Sequence, residues 1–173
     1  TPSGEFHIGH LREILSAEMI HRSCLNAGMK SKYIFIVDSM DPLRRVYDFL
    51  SYEYEEYIGC PLAYIPAPDS EGKPRGSDIS YAEYFLNPFL GSLEQIGVNP
   101  EVVMNHESYE NGEFAEYIDL AIKNKEEIRS IIQEISGREL PKEWFPYSPI
   151  GSDGSLDGVI VTGYENPYVY WTD

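Results

Sequence analysis

The chain has 173 residues, 42% of them hydrophobic and 24% charged, enough length and apolar material for one domain with a real core. With 29 acidic against 13 basic residues the net charge is −16, which excludes a broad basic face for nucleic acid. A local cationic cluster can still act, because physiological salt confines a charge's reach to roughly 8 Å. No apolar run approaches about 20 residues and no leader pattern is present, so the expectation is a cytoplasmic protein without membrane contact. The two cysteines, Cys24 and Cys60, make no ligand pattern and read as reduced thiols.

Thr1-Pro2-Ser3-Gly4-Glu5-Phe6-His7-Ile8-Gly9-His10 opens the chain. A small, turn-forming run leads into His-x-Gly-His, and an amphipathic helix is predicted from about His10 to Asn26, with Leu11, Ile14, Leu15, Cys24 and Leu25 on its apolar face and Gly28 as its stop. Such a loop suits a nucleoside triphosphate. Gly4 and Gly9 let the backbone approach a ligand, and the helix start offers free N–H groups and the positive end of a dipole to an anion. His7 and His10, three apart, can face one ligand. Met29-Lys30-Ser31-Lys32 reads as an ordinary solvated turn.

Tyr33–Val37 reads as a short buried strand ended by Asp38-Ser39-Met40-Asp41-Pro42. An acidic loop at the C-terminal end of a parallel strand is where open α/β sheets hold ligands. A short helix is predicted near Ser51–Ile58 and an irregular loop from Pro66 to Asp78. Helix follows from about Ser80 to Ile96, with Pro88 expected to kink or restart it. Glu101–Met104 is a second strand, and a long helix is predicted from about Glu113 to Ile135, closed by Gly137. Beyond Arg138 the composition changes: a Gly/Asp/Ser-rich turn at 151–155 precedes two candidate hairpin strands, Gly158–Tyr164 and Tyr168–Trp171. The alternation of helix and strand predicts an α/β layer with a parallel sheet.

The His7-x-Gly9-His10 element resembles the HIGH motif of class I aminoacyl-tRNA synthetases. Its Thr-Pro-Ser-Gly lead and its Leu11-Arg12-Glu13 sequel are similar to the class I lysyl-tRNA synthetases, the mostly archaeal form. Ser80-Tyr81-Ala82-Glu83-Tyr84-Phe85, Glu107-Ser108-Tyr109 with Gly112, and Ser136–Pro141 with Trp144 extend the similarity to about Ile150. Three departures are visible: His10 stands where the subfamily pattern has Asn, Asp38-Ser39-Met40-Asp41 where it has Asp-Asp-x-Asp, and Tyr84 where it has His.

The resemblance implies a Rossmann-like (HUP-type) parallel sheet flanked by helices, incomplete at its N-terminus. It implies a partial nucleotide-binding catalytic domain over residues 1–150 and the start of a small β-rich insertion over 151–173. It implies ATP-dependent activation of lysine and its ligation to tRNA(Lys), with Mg²⁺ accompanying ATP; the alternatives are another class I synthetase, or a non-catalytic paralogue that binds ATP or an amino acid. ATP falls to Pro2, Ser3, Gly4, His7, Gly9 and His10, with His7 and His10 catalytic. Lysine falls to Thr1, Glu13, Asp38, Asp41 and Tyr81, because its ammonium groups need carboxylate and hydroxyl acceptors. Relatives carry cysteine ligands for zinc after Ile150, but here no cysteine follows Cys60, so no zinc is expected in this segment. Neither DNA nor a membrane is expected as a partner. No Lys-Met-Ser-Lys-Ser loop occurs, so the chain is expected to be a fragment of little activity by itself.

Overall fold

A computed structural model describes residues 1–76 and 78–173; Ser77, within the loop predicted from Pro66 to Asp78, lies outside the described residues. The chain divides into two compact units, Thr1–Glu107 and Ser108–Asp173.

The first unit opens with helix α1, Ile8–Asn26. It starts two residues earlier than the periodicity suggested, because His7 itself is the N-cap. Leu11, Ile14 and Leu15 face Tyr33, Phe35, Phe89, Leu90, Leu93 and Val98 in one of two apolar clusters. Glu18 is buried on this helix and is paired by Arg22 Nε at 2.6 Å, while a second guanidinium nitrogen of Arg22 donates to the Gly97 carbonyl. In the turn that follows, Ser31 Oγ is bonded to His21 and Lys32 pairs with Glu101, so Met29–Lys32 is structural.

Strand β1, Ile34–Val37, pairs in parallel with strand β2, Glu101–Met104, in the register Ile34↔Glu101 to Val37↔Met104. The fold is therefore α/β, with a small parallel sheet flanked by helices. β1 turns Phe35 and Val37 inward and leaves Ile34 and Ile36 exposed.

The Tyr-rich stretch after β1 builds the second cluster, around Leu43, Tyr54, Leu62, Ile65, Tyr81 and Phe85. The predicted short helix here is a 3₁₀ helix, Tyr52–Tyr57. Crossed backbone bonds close the stretch on itself: Leu43 N–H donates to the Cys60 carbonyl, Gly59 N–H to Leu43, Leu62 N–H to Asp41 and Ala63 N–H to Ser39. Gly72 is required for its backbone: its φ is +75°, and a Cβ there would stand 2.5 Å from the Phe49 carbonyl oxygen.

Helix α2, Tyr81–Gln95, starts on a capping box in which Ser80 Oγ accepts from the Glu83 N–H and Glu83 Oε2 accepts from the Ser80 N–H. The Ser80 N–H and the Ser80 hydroxyl, both donating to Glu83 Oε2, hold the Glu83 carboxyl below its usual range. The helix runs through Pro88 rather than restarting there, with Pro88 on its exposed face.

Helix α3, Asn105–Glu110, follows β2 directly and was absent from the sequence expectation. In the second unit the single helix predicted over 113–135 is two, α4 (Ala115–Lys123) and α5 (Lys125–Ser136). Asn124 separates them, its backbone N–H and its side-chain amide both donating to the Leu120 carbonyl. Gly137, at φ +68°, ends α5. Strands β3 (Ile160–Glu165) and β4 (Tyr168–Thr172) form the anticipated antiparallel hairpin. The 151–155 segment is a turn in which Asp153 Oδ1 accepts from the Ser155 N–H. Among the described residues no helix is long and apolar enough to cross a membrane.

Candidate active site

His7 and His10 organise the start of α1. The His7 backbone N–H donates to His10 Nδ1 at 3.1 Å, and the Gly9 N–H donates to His7 Nδ1 at 3.0 Å. This is a capping box made of imidazoles. An Nδ1 that accepts carries no hydrogen, so each ring bears its hydrogen on Nε2. The ring centroids are 4.1 Å apart. The pair therefore offers two neighbouring Nε2–H donors, neither with a partner among the described residues, beside the positive end of the helix.

Gly9 is demanded by the same arrangement. A Cβ there would sit 2.8 Å from His7 Cε1 and 2.9 Å from Nδ1, inside the ring that caps the helix. The expectation of several free N–H groups needs correction, however. His10 and Leu11 donate to the His7 carbonyl and Gly9 to the His7 ring, which leaves Ile8. Any anion here is met by imidazole donors more than by a row of backbone amides.

Burial, and next the charge of His7, hold His10 below its ordinary value, with Glu13 pulling the other way. The unfolded chain thus takes up a proton on this ring at higher pH than the folded chain. The capping bond should be intact above pH 6.5, and its contribution lost as pH falls from there through the lowered native value. Thermal melts are expected to drop in that window, with the drop reduced in His10→Asn, whose amide oxygen accepts the same bond without titrating. An unchanged pH slope in that variant would contradict the role given to His10.

The loop before the motif is tied down from α2. Tyr81 is fully buried, and its hydroxyl donates to the Ser3 carbonyl at 2.8 Å. Burial pushes its phenol well up, so it remains a donor. Tyr81 therefore lies beneath the loop as its support, with its hydroxyl already used. Pro2 is also buried, whereas Thr1 is exposed. Phe6 stacks on Phe89 of α2 at 4.3 Å and lies 4.9 Å from the His10 ring. A Cβ at Gly4 would meet the Phe49 ring at 3.5 Å, an ordinary contact.

Glu13 is exposed on the second turn of α1 and close enough to His10 to influence its protonation. Helix α1 packs on β1 through Leu11, Ile14, Leu15, Tyr33 and Phe35, and the C-terminal ends of β1 and β2 lie side by side in the parallel sheet. There Asp41 is paired with Arg44 at 2.7 Å. Asp38 is exposed, and its Oδ1 accepts from Asn105 Nδ2 at 2.7 Å.

Three residues at this edge escaped the sequence reading. Asn105 reaches back from the end of β2 to the Asp38–Met40 loop. Ser39 is completely buried, and His106 Nδ1 lies 2.7 Å from its hydroxyl. The signal for Asn105 was its place: a polar residue immediately after an apolar strand, at the edge where parallel sheets hold ligands. The largest hollow described in the second unit, about 710 Å³ with Tyr117, Asp119, Tyr147 and Tyr164 in its wall, contains none of these groups. Its Asp119 is held down to about 2 by bonds from Lys123, Tyr164 and Asn166.

Residues 1–172 match the model of a family described as tRNA synthetases class I (K). The chain belongs to that family. Among curated proteins it is 41% identical over 169 residues to a lysine–tRNA ligase of Picrophilus torridus, covering 97% of this chain and 32% of that protein. It is 41% identical over 172 residues to a lysine–tRNA ligase of Archaeoglobus fulgidus, covering 99% and 34%. With the lysine–tRNA ligase of Methanocaldococcus jannaschii the identity is 42% over 146 residues, 84% of this chain and 26% of the other. The chain thus spans between about a quarter and a third of the length of these relatives. The imidazole-capped helix start lies inside the segment matched to the family.

Proposed function

We propose that this chain is the ATP- and lysine-binding part of a class I lysine–tRNA ligase. Residues 1–150 would form the HUP-type, Rossmann-like catalytic domain and residues 151–173 open a β-rich insertion. The observation that carries this reading is the pair of Nε2–H groups of His7 and His10 at the start of α1, in the same compact unit as the loop with Asp38 and Asp41.

The substrate is ATP with its magnesium ion, bound along Pro2, Ser3, Gly4 and Gly9. A carboxylate oxygen of lysine attacks the α-phosphorus in line. The bond to the bridging oxygen breaks, pyrophosphate leaves, and lysyl-adenylate remains. Charge grows on the phosphate oxygens as this happens, and fixed N–H donors stabilise it without reorganising. His7 and His10 supply those donors. Asp38, Asp41 and Glu13 offer carboxylates to the lysine ammonium groups, Thr1 lies alongside, and Tyr81 acts from below by holding Ser3. A terminal ribose hydroxyl of tRNA(Lys) then takes the lysyl group and AMP leaves.

The test is amino-acid-dependent exchange of labelled pyrophosphate into ATP, measured across the amino acids on the polypeptide that carries these residues. Exchange with lysine supports the reading. Exchange only with another amino acid, or none that depends on an amino acid, overturns it.

A further inference from the structure

One side chain outside every motif singled out above sets the geometry of the acidic loop. Asn105 Oδ1 accepts the backbone N–H groups of Ser39 at 2.8 Å and Met40 at 2.9 Å, and lies 3.0 Å from Ser39 Oγ. Its Nδ2 donates to Asp38 Oδ1 at 2.7 Å. Three donors on one side and a carboxylate on the other leave the amide a single orientation. Asn105 is the first residue after β2 and the loop is the first after β1. The parallel register that sets Val37 opposite Met104 therefore brings the two together.

The consequence concerns Asp38. One of its oxygens is occupied by the amide, and the other has no partner among the described residues. A carboxylate with both oxygens open accepts the planar fork of a guanidinium through two parallel bonds. With one oxygen already bonded, a fork must share that oxygen with the amide through its second lone pair, whereas a compact ammonium, a point charge with rotatable donors, needs only the open oxygen. We infer that Asn105 is a specificity-determining positioning residue: by bonding Asp38 Oδ1 it fixes the carboxylate and competes for one of its two oxygens, which favours a primary ammonium over a guanidinium fork. The inference rests on the reading of Asp38 as an acceptor for the lysine side chain.

Lysine- and arginine-dependent pyrophosphate exchange by the polypeptide carrying this chain tests it. Asn105→Asp keeps the oxygen that accepts from Ser39 and Met40 and replaces the donor to Asp38 by a second carboxylate oxygen that repels it; Asn105→Ala removes both the acceptor and the donor. Either variant that melts like the parent serves. The KM for lysine is expected to rise roughly tenfold, and the preference for lysine over arginine to narrow by a similar factor, with the KM for ATP unchanged. In an Asp38→Asn background the same substitution should add almost nothing, because Asn105 acts through Asp38. Ser39→Ala, which leaves the Asn105–Asp38 bond alone, should keep the lysine preference whatever it does to stability. If the parent exchanges with lysine and both Asn105 variants keep its preference, the inference fails and the lysine reading stands. If the parent shows no dependence on lysine, the reading fails and the inference with it.

Discussion

Replacing His7 with asparagine is expected to lower lysine-dependent pyrophosphate exchange roughly 10²–10³-fold while barely moving the melting temperature. The two effects separate because His7 does two things with different atoms. Its Nδ1 accepts the Gly9 N–H and its backbone N–H donates to His10. Asparagine, a strong N-cap residue, can reproduce both bonds. What it lacks is the donor on the far side of the ring. An amide reaches less far than imidazole Nε2, so a phosphate oxygen bonded there loses its partner at the moment charge develops. His7→Ala should lose the exchange too, and in addition destabilise the fold by about 1 kcal/mol through loss of the cap. Undiminished exchange in His7→Asn would remove His7 from the chemistry. A fall in melting temperature that tracks the lost exchange would make the histidine a cap and nothing more.

The largest loss of stability is expected from Leu62→Ala. Leu62 is completely buried in the cluster with Leu43, Tyr54, Tyr81 and Phe85. Truncation there removes apolar contact and leaves a cavity, at a cost of about 2–5 kcal/mol. That is a large fraction of the roughly 5–15 kcal/mol that holds a typical domain together. The position also couples the cluster to the site. The Leu62 N–H donates to the Asp41 carbonyl and its own carbonyl accepts from the Ala82 N–H, so the residue joins the acidic loop to the first turn of α2. Urea unfolding should show the midpoint falling with an unchanged slope. A loss below about 1 kcal/mol would mean that the cluster closes over the gap, and that Leu62 is not the centre of this packing.

Much of the frame was legible because it is local. The apolar spacing of Leu11, Ile14 and Leu15 declares α1, and Glu101–Met104 is β2 in the sequence and in the structure alike. Ser80 and Glu83, three apart, carry their capping box in plain view. What was not legible depends on partners distant in the chain. Asn105 means nothing until β2 lies beside β1, 66 residues away from the Ser39 N–H it accepts. Tyr81 looks like a pocket aromatic until its hydroxyl is found on Ser3, 78 residues earlier. The helix expected from Glu113 to Ile135 failed for a smaller reason. The apolar stripe continues across Asn124, but periodicity does not register a side chain that folds back onto the backbone carbonyl of Leu120 beside its own N–H. In the candidate site, composition and spacing pointed to the histidines, yet only the capping geometry says which nitrogen of each ring carries the hydrogen.

That geometry makes ring orientation hostage to the first turn of α1. Helix ends fray more readily than whole domains unfold. Once the Gly9 and His7 N–H groups let go, each imidazole is free to turn about its side-chain bonds, and its hydrogen can exchange between the two nitrogens through water. A fluctuation of a few residues, invisible to any probe of the core, would thus scramble the directions in which the two rings donate. On warming, the capacity to grip a phosphate should fade before the fold does.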